Sequence, residues 1–177
     1  LQQNYQLRTI AKSLEKKIRT ELLKLMKELG ITAYRFSISW SRLIPDGVGK
    51  INPKGGEFYS NLIDELLAND IEPYVTLFHW DYPYALHKKG GWLNDDSVKW
   101  FADYAATVSK LFSDRVHNFI TFNEPQCFIG LGYMTSEHAP GYKVMYKDIF
   151  QMCHNVLKAH GAAVIALREN AKQPIKV

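Results

Sequence analysis

The residues Thr121-Phe122-Asn123-Glu124-Pro125 place a carboxylic acid beside a side-chain amide at the end of a β-strand. The run Val116-His117-Asn118-Phe119-Ile120-Thr121-Phe122 is rich in β-branched and aromatic residues, which is the composition of a strand. Pro125 has no amide donor and biases Glu124 towards an extended or turn conformation. Asn123 and Glu124 therefore fall where the strand hands over to a loop, a position from which a carboxyl group can exchange a proton with a ligand. Taken alone, most Asn-Glu pairs of this kind are helix caps or solvated turns. The other strand ends of the chain shift that balance.

One of them reads Tyr34-Arg35-Phe36-Ser37-Ile38-Ser39-Trp40, and alternation puts Arg35, Ser37 and Ser39 on one face. An arginine on such a strand is expensive to bury unless it meets a carboxylate. Another ends in His79-Trp80-Asp81-Tyr82-Pro83. Individually, His79 reads as a hydrogen-bonded core histidine, Trp80 as packing and Arg35 as half of an ion pair. In a parallel sheet these ends lie at one edge, where a cation, a histidine, a tryptophan, an amide and a carboxylic acid converge. That set suits a polar pocket walled by aromatic rings. No His-x-x-x-His or cysteine cluster accompanies it, which disfavours a zinc site, and no cofactor is expected.

Helices and strands alternate around these residues. A helical stretch spans roughly Arg8 to Leu29, with Leu22, Leu25, Met26 and Leu29 on one face and Gly30 as its stop. The strand Ala33–Trp40 follows, and Asn52-Pro53 then caps a second helix carrying Phe58, Leu62, Ile63, Leu66 and Leu67. After the strand Pro73–His79, Gly90-Gly91 breaks the chain before a third helix from about Asp95 to Phe112. The strand ending at Glu124 leads into a Gly- and Pro-punctuated loop through Gly130, Gly132, Pro140 and Gly141. A fourth helix runs roughly from Lys147 to Ala171, and Pro174-Ile175-Lys176-Val177 reads as the start of another strand.

Strands separated by single helices require parallel pairing with right-handed crossovers. A complete eight-stranded barrel needs about 250 residues, so 177 residues hold only part of one. A doubly wound sheet competes, yet no Gly-x-Gly-x-x-Gly turn opens any of the helices.

Composition narrows the functional classes. Hydrophobic content of 46% and charged content of 23% are those of an ordinary globular chain. The net charge of +4 is spread among acids, and nothing points to nucleic acid; Lys12 to Arg19 reads as a solvated helix face. Two cysteines, Cys127 and Cys153, have no metal-ligand spacing and suit a reducing cytoplasm, as does the lack of a signal peptide. No apolar run approaches the ~20 residues that span a membrane.

Tyr34-Arg35-Phe36-Ser37-Ile38-Ser39-Trp40-Ser41-Arg42, Thr76-Leu77-Phe78-His79-Trp80-Asp81, Gly90-Gly91-Trp92 and Thr121-Phe122-Asn123-Glu124-Pro125 together resemble glycoside hydrolase family one, the β-glucosidases and their relatives. The four segments match in order and spacing from about Leu22 to Val177, whereas residues 1–21 form a poorly matched helical stretch. The resemblance implies a single domain that is part of a (β/α)8 barrel: about strands two to four with their helices and the start of strand five. It also implies hydrolysis of unphosphorylated β-glucosides or oligosaccharides with retention. Glu124 matches the family's acid/base, Asn123 the residue that bonds the sugar 2-hydroxyl, and His79 and Trp80 glycone-binding positions. Arg35 matches the arginine beside the nucleophilic carboxylate. A general acid at neutral pH needs a raised pKa, which a neighbouring carboxylate supplies, and a retaining pair stands ~5–5.5 Å apart.

Departures from the family pattern are equally specific. No Thr-Glu-Asn-Gly-like segment bears a nucleophile, and Leu1 to Ser13 does not resemble the family's first strand with its glutamine. Ser136 and Ser113 stand where the family usually has Gly, and Tyr84 where it has Gln. A serine in place of glycine costs energy where φ is positive. The chain is thus expected to be a fragment with the acid/base and no nucleophile, inactive alone and able to self-associate through open barrel edges. The alternative is a non-catalytic carbohydrate-binding or interaction protein.

Overall fold

The computed structural model describes residue 17 and residues 20–177. Its centre is a parallel sheet of three strands in the order β1 (Ala33–Ser37), β2 (Glu72–Phe78), β3 (Asn118–Phe122). Arg35 lies opposite Tyr74 and Thr76 opposite Ile120, so the C-terminal ends of all three strands come out along one edge. Each crossover carries helix: α2 (Trp40–Leu43) and α3 (Pro53–Leu67) join β1 to β2, and α4 (Tyr84–His87) and α5 (Ser97–Phe112) join β2 to β3. After β3 come α6 (Pro125–Ile129), a π-helical turn (Gly130–Met134) and α7 (Tyr146–Glu169). Lys176 then bridges Asn118 in parallel, donating to the His117 carbonyl and accepting from Phe119. The expected fourth strand thus begins beside β3. Three strands of this kind are an open portion of an α/β barrel, with no closure.

Local chemistry explains most boundaries. Asn52 caps α3 by accepting from the Lys54 amide at 3.2 Å, and Pro53 follows with φ preset for the first turn. α3 buries Tyr59, Ile63 and Leu66 on its sheet side. α5 and α7 pack along each other, and the buried Ser109 hydroxyl donates to the Leu167 carbonyl at 2.7 Å. Asn155, fully buried on α7, donates to the Trp92 carbonyl at 3.0 Å and accepts from Gln151, so its amide does not go unpaired.

Three expectations are corrected. The helix before β1, here α1 (20–28), buries Leu23 and Met26 but leaves Leu22, Leu25 and Leu29 exposed. Among the described residues β1 is the edge strand, so the sheet ends there before the outer half of the apolar stripe is covered. Its earlier portion, from Arg8, falls outside the described residues apart from Lys17. The Gly-punctuated segment after Glu124 is helical as far as Met134, because Gly132 serves close approach rather than a turn: a Cβ there would stand 2.8 Å from the Ala139 carbonyl oxygen. Finally, Ser113 carries no backbone strain. Its φ is −70°, and its buried hydroxyl accepts from the Lys172 amide at 3.0 Å.

The core is dense in aromatic rings. Tyr104 is fully buried; its hydroxyl donates to the Leu77 carbonyl at 2.9 Å, with the Ile38 carbonyl at 3.3 Å, linking α5 to the ends of β1 and β2. Burial holds the Tyr104 hydroxyl well above its ordinary pKa, raises that of Tyr59, and pushes that of Tyr133 up to about 12. These phenols stay protonated in the fold while an unfolded tyrosine ionises near pH 10. Because each folded pKa is raised, stability is fully present below pH 10 and falls as the pH rises past it. The expected slope is about 1.4 kcal/mol per pH unit for each such tyrosine. Urea midpoints measured from pH 9 to 11 check this; a flat profile would contradict it.

Candidate active site

The strand ends bring the sequence-predicted residues together. Arg35, on β1, donates through Nε to Thr76 Oγ1 at 2.8 Å and through a terminal nitrogen to Asn123 Oδ1 at 2.7 Å. One guanidinium thus joins all three strands. The carboxylate expected as its partner is not what it meets; its partners are a hydroxyl and an amide. Arg35 is exposed, so water still solvates the charge and neutral acceptors suffice. Ser37 Oγ lies 3.1 Å from His79 Nδ1, which fixes that imidazole one strand over. Ser39 has left the strand and starts α2, its amide donating to Tyr59 Oη at 2.7 Å.

Two residues in this cluster hold left-handed backbone: Trp80 with φ 80° and Glu124 with φ 41°. Neither is glycine, and such conformations cost about 1–3 kcal/mol each. Of the extended or turn geometries anticipated for Glu124 from Pro125, the chain takes a left-handed turn. Surrounding bonds impose it. The Asn123 amide donates to the Phe78 carbonyl at 2.9 Å, and Trp80 Nε1 donates to the Asn123 carbonyl at 2.9 Å. The Trp80 indole and the Asn123-Glu124 turn are consequently locked to one another. Strain held in place by this many bonds is a feature of functional sites rather than of packing.

Glu124 itself is exposed, and its Oε2 accepts from Cys127 Sγ at 3.4 Å. Desolvation first, then the neighbouring carboxylate, hold the Cys127 thiol above its ordinary pKa. Asp81, beside Trp80, is also raised, by desolvation opposed by a hydrogen bond from Ser39. The residue is nonetheless open to solvent, so this shift carries little energy.

Sequence reasoning did not single out His138, whose ring lies 5.2 Å from that of Trp80. Its signal was the His138-Ala139-Pro140-Gly141 segment. In the same segment, Ser136 has φ 65°, which explains why glycine is the ordinary residue at that position. The His79 and Trp80 rings are 5.3 Å apart, so Trp80 has two imidazoles within ring contact.

Comparison with known proteins places this arrangement in a family. The model of glycosyl hydrolase family 1 matches residues 3–177. Beta-glucosidase A of Thermotoga maritima is 46% identical over 152 residues, which are 86% of this chain and 34% of that protein. The 6-phospho-beta-glucosidase GmuD of Bacillus subtilis is 48% identical over 149 residues, 84% of this chain and 32% of that one. The structure of the Thermotoga maritima beta-glucosidase in complex with glucoimidazole superposes with a TM-score of 0.84 at 45% identity, covering 87% of this chain and 35% of that chain. The chain spans about a third of the length of the relatives it matches. It belongs to glycosyl hydrolase family 1.

Proposed function

We propose that this chain carries the acid/base half of a retaining β-glucosidase site. Glu124 protonates the departing glycosidic oxygen and later takes a proton from the attacking water. The observation that carries the reading is the strained Asn123-Glu124 turn locked to Trp80. Asn123, held by Arg35, presents its amide towards the sugar 2-hydroxyl, where bonds strengthen as the oxocarbenium-like state forms. His79 and Trp80 supply the glycone face. Arg35 orients the nucleophilic carboxylate, which has to come within ~5–5.5 Å of Glu124 from elements beyond this chain's three strands.

Unphosphorylated glucosides are the substrates favoured by the resemblance of His79-Trp80-Asp81 and Glu124-Pro125 to the glucosidases that act on unphosphorylated sugars. Both kinds of activity occur among the relatives' names, so substrates of both kinds belong in the test. The open sides of the sheet and the exposed Tyr146, Phe150, Leu157 and Ile165 of α7 are surfaces for further barrel elements or for a second copy of the chain.

The 177-residue chain alone is expected to release no measurable aglycone from an aryl β-glucoside. Glu124-dependent turnover by the isolated chain would overturn the assignment of only half a site. A second reading is a non-catalytic sugar-binding protein, favoured by the fact that Asn123, His79 and Trp80 are already positioned without a second carboxylate. Calorimetry with glucose and cellobiose tests this second reading: no heat at millimolar sugar would remove it.

A further inference from the structure

A cavity of about 370 Å³ opens between the turn after β2 and the segment after β3, within the ~300–1,000 Å³ typical of small-molecule sites. Phe78, Trp92, Phe128 and Tyr133 are its buried floor. The lining residues that keep solvent-accessible surface are Trp80, Asp81, Tyr82, Tyr84, His87 and Tyr142, beside Ala139-Pro140. Aromatic rings therefore surround one carboxylate. Lysine and arginine are absent from the lining, so nothing there compensates an anionic ligand.

Asp81 has no cationic side chain of its own to pair with. The ion pairs among the described residues join Lys99 to Asp103 and Arg115 to Asp64 and Asp114. The Ser39 hydroxyl bonds Asp81, and His79 stands near enough to favour its charged form. The face of an aromatic ring carries negative potential, so rings gathered around a carboxylate attract a cation. The chain displays the same attraction just outside the cavity, where the Lys88 ammonium sits 5.4 Å from the Tyr84 ring centroid. Lys88 is exposed and not part of the lining, so solvent screens its charge.

The kind of cation follows from what the walls offer. An inorganic ion would have to shed its water for a single carboxylate, and no cluster of three His, Cys, Asp or Glu gathers among the described residues. A sugar would bring hydroxyls that find few partners: Tyr82 Oη is shut off from solvent, and His87 Nε2 and Tyr142 Oη face each other at 3.4 Å. We propose that this cavity binds a small organic ammonium ion, its methyl groups against the surrounding rings and its charge beside Asp81. The walls are preformed. Tyr84 stacks on His87 at 5.9 Å and 19°, His87 on Tyr142 at 5.4 Å and 2°, and the Trp80 indole is pinned by its bond to the Asn123 carbonyl. Little ordering is left to oppose binding. The site needs no contribution from Glu124, so it stands or falls apart from the acid/base assignment.

The test is titration of the full chain with choline at about pH 8, where carboxylates are ionised and imidazoles neutral. The choline N-methyl proton signal reports binding, because ring faces move nearby methyl protons upfield. A saturable upfield shift is expected. The alcohol of the same shape, with carbon in place of the charged nitrogen, is expected to bind about tenfold more weakly. Asp81→Asn, at an exposed position, should weaken choline about tenfold and leave the neutral alcohol unchanged, which also shows that the cavity is intact. Tyr142→Leu, likewise exposed, should weaken choline through the lost ring, whereas Lys88→Met should not weaken it. No saturable shift with choline, equal affinity for the neutral alcohol, or unchanged choline affinity in Asp81→Asn would each overturn the proposal.

Discussion

Trp40→Ala is expected to cost about 3–5 kcal/mol of stability, the cost of truncating a fully buried tryptophan. Trp40 is fully buried, stacked on Tyr104 at 4.8 Å and 9°, with Phe101 at 5.6 Å and Tyr82 at 5.5 Å. Its indole also donates to the Gly47 carbonyl at 2.9 Å, closing the loop between α2 and α3. Truncation would open a cavity, strand that carbonyl and free Tyr104, whose hydroxyl ties α5 to the ends of β1 and β2. Domains of this size are stable by only about 5–15 kcal/mol, so the loss removes a large share of the total. Trp40→Phe separates the contributions: it keeps an aromatic ring, loses the bond to Gly47, and should cost less than half as much. Urea unfolding of the three proteins measures the differences. A loss below about 1 kcal/mol for Trp40→Ala would show that the aromatic cluster repacks around the gap.

That cluster also shows what the sequence could and could not disclose. The order of elements was legible because hydrophobic period and caps are local: Asn52-Pro53 opens α3 where expected, and Lys176 begins a strand beside β3. Convergence of Arg35, His79, Trp80 and Asn123 was legible for a different reason, since parallel strands deliver their ends to one edge. Burial was less legible. Leu22, Leu25 and Leu29 have the spacing of a core face, but covering them depends on what lies past β1. The left-handed backbone at Trp80 had no signal in its residue type, because it is imposed by the tie between its indole and the Asn123 carbonyl. Gly132 read as a loop breaker, yet its role is to admit the Ala139 carbonyl against a helical turn. The family resemblance marked Ser136 and Ser113 alike, and only backbone angles separate the strained position from the relaxed one.

The second large effect concerns Glu124 and requires a complete site. A chimera supplies one, with this segment replacing the matching portion of the Thermotoga maritima beta-glucosidase, to which it is 45% identical with a TM-score of 0.84. In that protein Glu124→Gln is expected to lower kcat/KM by about 10²–10⁴-fold for a β-glucoside whose alkoxide leaves poorly, because glutamine cannot deliver the proton. The same substitution should cost far less with a dinitrophenyl glucoside, whose leaving group departs as a stable anion. Its kcat should still fall, since water must then attack the glycosyl ester without a base. Azide, already anionic, needs no base; adding it to Glu124→Ala should restore kcat and yield the β-glycosyl azide. Arg35→Met gives the contrasting pattern. It removes the group that bonds Asn123 and that is proposed to orient the nucleophile, so good and poor leaving groups should suffer alike, with no rescue by azide. The comparison of leaving groups thus tells a proton donor from a residue that only shapes the site. An equal loss for both classes in Glu124→Gln would remove the acid/base assignment.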